Sequence, residues 1–145
     1  MGLYPVFEAP EIKDYVKKVS TEYKIGLHFD QQTGDLRVDS TGKIVEANGR
    51  DTWLQWCEKA ILTQYKAFLG YSLFGADMEY ALSQLDKQAR EDAIEQEIKL
   101  ALMSDPARRT LEVNSFSFEW GSDSVRVSFN LIGADGYTGK LSVNL

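Results

Sequence analysis

The last thirty residues carry three apolar alternations separated by two turn signals, and they constrain the fold more than anything upstream. Phe116, Phe118 and Trp120 fall on one face of an extended segment. The run Gly121-Ser122-Asp123-Ser124 turns the chain, and Val125, Val127, Phe129 and Leu131 alternate with Arg126, Ser128 and Asn130 on the return. After Gly133-Ala134-Asp135-Gly136, the residues Tyr137, Leu141, Val143 and Leu145 alternate with Thr138, Lys140, Ser142 and Asn144. Successive side chains of a strand point to opposite faces, so this pattern predicts a three-stranded antiparallel sheet with one buried face. The chain ends inside the last strand, and Lys140 is its only blunting charge. An edge strand left open in this way is a template for a further strand.

A sheet with one apolar face needs a second layer, and the middle of the chain supplies helices. Asn48-Gly49-Arg50-Asp51 reads as a capping box, with Asn48 accepting from the first turn and Asp51 reaching back. The following helix places Trp53, Trp56, Cys57, Ala60 and Ile61 on one stripe and ends near Thr63. Residues 65–75, with Gly70 and Gly75, read as a connection. Met78, Ala81, Leu82 and Leu85 mark a second, short helix, and Ile94, Ile98, Ala101 and Leu102 mark a third. Asp105-Pro106 stops it, because the residue before proline avoids the helical region.

Upstream, residues 25–47 read as a β-meander with turns at Asp30-Gln31-Gln32-Thr33-Gly34 and Ser40-Thr41-Gly42. Residues 1–20 read as an arm or short helix: Ile12, Tyr15, Val16, Val19 and Tyr23 have helical spacing behind Pro10. The expected fold is therefore α+β, a small single domain over residues 21–145. It has an N-terminal β-meander, a helical middle and a C-terminal three-stranded antiparallel sheet with an open edge strand.

Composition closes off several function classes. A formal net charge of −6 argues against a nucleic-acid partner, which calls for a basic excess to displace counterions from phosphate. No run of about 18 apolar residues reads as a membrane span, and the N-terminus lacks the apolar core of a secretory signal. The single cysteine, Cys57, cannot form an internal disulfide, which suits assembly in a reducing cytoplasm.

The residues able to carry chemistry each have a simpler reading. His28 is the only histidine, and with no second one the common zinc site cannot be built. Cys57 sits on an apolar helix stripe, where burial makes a thiol inert. Glu91, Asp92 and Glu95 fall on the polar face of the third helix, where solvation is the default. Glu97 lies nearer the apolar side, and Arg90, Arg108 or Arg109 are expected to pair with it. The row Phe116, Phe118 and Trp120 could stack on a sugar or a base, but aromatics at strand period more often build core. No phosphate-binding glycine loop is present, and no cofactor or metal is expected.

The order of segments resembles the tail-lysozyme-like baseplate wedge family of contractile phage tails and tailocins, in particular the short prophage wedge proteins of Gram-positive bacteria. The carrying residues are Tyr23-Lys24-Ile25, Phe29-Asp30 with Thr33-Gly34-Asp35, then Trp56 and Lys59-Ala60-Ile61-Leu62-Thr63. Tyr71, Phe74-Gly75, Leu102 and Ser104-Asp105-Pro106 follow, and Val113, Ser115-Phe116, Phe118 and the strand from Asp123 to Phe129 complete the set. The chain departs from the family after Thr63, where an arginine is usual and Gln64-Tyr65-Lys66 stands instead; a lysine cannot reproduce a bidentate arginine contact.

The resemblance implies a structural subunit in the baseplate of a tail particle, not an enzyme, that joins inner wedge proteins to the first sheath layer, with hub or tube proteins as further neighbours. It puts sheath contacts, by strand addition, at Leu141, Ser142, Val143, Asn144 and Leu145. It puts wedge contacts at Tyr71, Leu73, Phe74 and Gly75. The alternative carried by the family label is a peptidoglycan hydrolase, which needs two carboxyls about 5 to 9.5 Å apart. A third reading is a free-standing adaptor that captures one peptide on its sheet edge.

Overall fold

Val125, Val127, Phe129, Leu131 and Gly133 are all buried, and the residues between them are not, so the middle strand of the C-terminal sheet presents one face to the core. In the computed structural model, which describes residues 23–30, 32–67, 69–70 and 74–145, ten elements follow one another along the chain. Four two-residue strands come first: β1 (Gly26–Leu27), β2 (Phe29–Asp30), β3 (Asp35–Leu36) and β4 (Glu46–Ala47). Three helices follow: α1 (Gly49–Leu62), α2 (Met78–Leu82) and α3 (Lys87–Met103). The last three strands are β5 (Thr110–Trp120), β6 (Val125–Gly133) and β7 (Thr138–Asn144). The α+β expectation holds, with strands, then helices, then the antiparallel sheet β5-β6-β7. The arm or helix expected over residues 1–20 lies outside the described residues.

Each helix begins where a side chain can accept from its first turn. Asn48 accepts from the Asp51 amide, Asp77 from the Tyr80 amide and Asp86 from the Ala89 amide. The capping box differs from the expected one: Asp51 accepts from the Asn48 side-chain amide at 2.9 Å. The second helix is shorter than its apolar spacing suggested. Ser83 caps it after Leu82, and Leu85 lies beyond it, fully exposed.

The core lies between the helices and one face of the sheet. Trp53, Cys57, Ala60 and Ile61 of α1 meet Ile94, Ile98, Ala101 and Leu102 of α3 over Val127, Phe129 and Leu131 of β6. Burying a side chain the size of Phe129 contributes roughly 1.5–3 kcal/mol. Phe116, Phe118 and Trp120 pack against this cluster from β5, which is the core role expected of them. Trp53 is fully buried, and its ring nitrogen donates to Thr110 Oγ1 at 3.0 Å. Gly133 permits the close approach of Tyr23 and Trp53 to β6: a Cβ there would lie 2.5 Å from the Tyr23 hydroxyl.

The turn from α3 into β5 is held by one carboxylate. Asp105 is 4% exposed; it accepts from the amides of Ala107 and Arg109 and pairs with the Arg109 guanidinium at 2.8 Å. Arg109 in turn lies over the Trp56 ring, 5.4 Å from its centre.

Candidate functional site

The two outer strands of the sheet differ in regularity. β5 has two register shifts against β6, one between Thr110 and Glu112 and one between Asn114 and Ser117. Ser115 sits in the second with φ 57, a left-handed conformation that non-glycine residues seldom adopt. Such bulges bend a strand and spoil its outer edge for pairing. Side chains of α3 also reach β5: Glu91 accepts from the Trp120 ring nitrogen at 2.8 Å, and Arg90 lies over the Trp120 ring.

β7 pairs with β6 without interruption, from Ile132↔Thr138 to Arg126↔Asn144. Val125 and Leu145 exchange both backbone hydrogen bonds, at 3.1 and 2.9 Å, and the Gly133 amide donates to Tyr137 O at 2.7 Å. Hydrogen-bonded and non-bonded pairs alternate along an antiparallel ladder. Tyr137, Gly139, Leu141, Val143 and Leu145 therefore turn their backbone groups to β6. Thr138, Lys140, Ser142 and Asn144 turn theirs to the open side. Among the described residues, none bonds to those four amides and carbonyls. The result is a straight row of donors and acceptors about 4.8 Å from where the next strand would lie.

The five C-terminal residues named from the sequence thus divide in two. The side chains of Leu141, Val143 and Leu145 belong to the core, Val143 at 2% exposure. Ser142 and Asn144 face solvent, where Ser142 meets the Ser128 hydroxyl at 2.8 Å and Asn144 accepts from Arg126 at 3.1 Å. Thr138 and Lys140 complete the open edge; neither belongs to the predicted contact set, although Lys140 stands out in the sequence as the blunting charge. Their alternation was visible, but the phase of the backbone bonds depends on register, which composition does not carry.

Of the second set, Tyr71 and Leu73 lie outside the described residues. Phe74 is half-buried and meets Trp56 edge-on at 5.9 Å. Gly75 is buried with φ +107, and a Cβ there would lie 2.6 Å from Thr63 O. Both close the connection after α1, where Gln64 and Ala76 bridge in parallel and Gln64 donates to Asp77 at 2.8 Å. Lys66, the first cationic residue after Thr63, is exposed and lies over the neighbouring Tyr65 ring.

Most of the residues considered for chemistry have structural partners, whereas Nδ1 of His28 is buried without one among the described residues. Burial pushes the Cys57 thiol up to about 12, so it stays protonated. Glu97 accepts from the Asp77 amide at 3.0 Å. The expected arginine pairing is not formed: Arg109 is taken by Asp105, and Arg90 lies over Trp120. Glu95 pairs with Lys99, and Asp92 accepts from Gln88. Burial raises the Glu58 carboxyl above its ordinary value. His28 is half-buried, and no cluster of three metal-ligating side chains occurs among the described residues.

A protein-family model described as the contractile injection system sheath initiator matches residues 25–136. The match covers the meander, all three helices and the sheet as far as the turn before β7. Comparison with curated proteins gives no match. The resemblance to baseplate components of contractile tails is confirmed at the level of the machine; the tail-lysozyme-like wedge assignment is finer than the match. With 112 of 145 residues inside one family model, the chain belongs to the family of contractile injection system sheath initiators, structural components of sheath attachment.

Proposed function

We propose that the chain is a baseplate wedge subunit that joins inner wedge proteins to the first sheath layer, and that it holds the sheath by strand addition on β7. The observation that carries this reading is the regular, unpaired edge formed by Thr138, Lys140, Ser142 and Asn144, beside a β5 edge spoiled by two bulges. Backbone hydrogen bonds give such a joint its affinity, and the polar outer face supplies side chains for register. Ser142 and Asn144 of the predicted set meet the added strand directly; Leu141, Val143 and Leu145 hold the edge rigid from below. The wedge partner binds at the predicted set Tyr71, Leu73, Phe74 and Gly75, of which Phe74 packs on Trp56 of α1. In this reading residues 21–145 form the wedge domain, of the tail-lysozyme-like kind, and the subunit is assembled in the cytoplasm and resides in the baseplate with hub or tube proteins nearby.

Ser142→Pro tests the edge. The Ser142 amide faces outward, so proline removes no backbone bond to β6 and only the exposed hydroxyl contact with Ser128, as proline is tolerated on the free side of edge strands. In a pull-down from cells expressing the whole tail operon, the variant is expected to keep the wedge proteins and lose the sheath protein, while its melting temperature stays within a few degrees of the parent. Sheath captured by the folded variant at the parent level overturns strand addition on β7.

A further inference from the structure

One line of α1 runs beside the open edge of β7, and the two advance in step. The Arg50 guanidinium lies over the Tyr137 ring, 4.5 Å from its centre. One helical turn on, a Cβ on Gly139 would lie 3.4 Å from Leu54 Cδ2. Four residues of a helix rise roughly 6 Å, and two residues of a strand roughly 7 Å. The next step of this series sets Glu58 at the level of Leu141. Glycine at 139 leaves no side chain over Leu54, and Leu141 is only half-buried although it packs against the core. The inner face of β7 is thus partly uncovered from Gly139 to Leu141, with Leu54 and Glu58 beneath it.

Arg50, at the start of this line, pairs with Asp135. Glu58 forms no hydrogen bond or ion pair among the described residues. It is half-buried, and that burial already raises its carboxyl above the ordinary value. A strand laid along β7 strips water from what is still exposed. A carboxylate covered without a partner is costly, and a cation brought by the covering chain offsets that cost. Residues directly opposite one another in a ladder share a face, so the side chain opposite Leu141 hangs over Glu58. The side chains two places before and after it stand opposite Gly139 and Val143, over apolar surface.

We propose that Glu58 selects and registers the strand that adds to β7: the incoming segment carries a lysine or arginine opposite Leu141, with apolar residues two places away on either side. This rests on strand addition at β7 and adds to it the chemistry of the partner. A slip of one residue turns the cation to solvent and leaves Glu58 covered and unpaired. A slip of two carries the cation off Glu58 onto apolar surface. One register satisfies the carboxylate, and segments without the cation are rejected by it.

Glu58→Gln and Glu58→Lys in the full chain test it, beside Ser142→Pro in the same pull-down from the whole tail operon. Glu58 has no partner within the described chain, so both variants are expected to melt within a few degrees of the parent and to keep the wedge proteins. Captured sheath is expected to fall several-fold with Glu58→Gln and at least tenfold with Glu58→Lys. In a set of sheath proteins with each lysine and arginine changed singly to glutamate, one change is expected to restore capture by Glu58→Lys and to weaken capture by the parent. Parent-level sheath on both folded Glu58 variants, with sheath lost by Ser142→Pro, overturns the role of Glu58 and leaves strand addition standing. Sheath kept by Ser142→Pro overturns both. Loss that no charge reversal rescues overturns the cation. Glu58→Gln keeps the shape of the side chain, so the test survives a Glu58→Lys chain that does not fold. One sheath change is then expected to weaken capture by the parent and not by Glu58→Gln, and the absence of any such change overturns the proposal.

Discussion

The two edges of the C-terminal sheet are built from similar residues and finished differently. β5 begins at a buried ion pair, bends at two bulges and carries Ser115 in a left-handed conformation. β7 begins at an exposed turn, runs straight and ends without a bulge. On the β5 side the irregularity is fastened to the rest of the molecule by Asp105, Arg109 and Glu91. On the β7 side the fastening lies beneath the strand, in Leu141, Val143 and Leu145, and leaves the edge itself free. Strain thus lies on the β5 edge, and regularity on the β7 edge where strand addition is proposed.

The contrast can be broken most directly at the start of β5. Asp105→Ala leaves a guanidinium that is 11% exposed without its carboxylate and frees two amides. Removing one partner of a buried pair costs about 3–5 kcal/mol. Chemical denaturation should show a loss of that size; a loss below about 1 kcal/mol would mean that β5 is not anchored there.

A smaller effect is expected at the far end of the same strand. Trp120→Phe keeps an aromatic ring, smaller than the indole, and removes the hydrogen bond to Glu91. The expected loss is about 1 kcal/mol, and the double variant with Glu91→Gln should lose little more than Trp120→Phe alone. Full additivity in that cycle would remove α3 from the protection of this edge.

The smallest effect concerns the turn that starts β7. Asp135 accepts from the Tyr137 amide at 3.0 Å, and that bond, with smaller help from Tyr23 and Arg50, holds its carboxyl below the ordinary 3.8. A depressed carboxyl stabilises the fold above its unfolded pKa, and that contribution is lost as pH falls through the lower folded value. Carboxyl chemical shifts should place the Asp135 midpoint below 3.8. A midpoint at or above that value would leave the turn held by backbone alone.

Much of this was legible in the sequence where one periodicity runs unbroken. Residues 125–131 and 137–145 alternate strictly and formed the strands expected of them. β5 was readable only from Phe116, because its inward residues Val113 and Phe116 are three apart across the bulge at Ser115. The period that predicts a strand disappears where a bulge adds a residue. Leu85 failed for the opposite reason: it continues the spacing of α2 after Ser83 has already ended the helix. Glu97 was read as needing an arginine, but its partner is a backbone amide, and amides are offered by every sequence alike. The meander showed its alternation openly. Which face it buries depends on where α1 lies, and the pattern alone does not say.

The bulges of β5 have a consequence best put in the language of polymerisation. A sheet open on both edges has a functionality of two: strands can add on either side, and the unit propagates like any monomer in a growing chain. Closing one edge reduces the functionality to one. Such a unit can start a series of added strands and cannot be incorporated into the middle of one. If β7 takes an added strand as proposed, the left-handed backbone at Ser115, costly for its own strand, is what separates a starting block from a repeat.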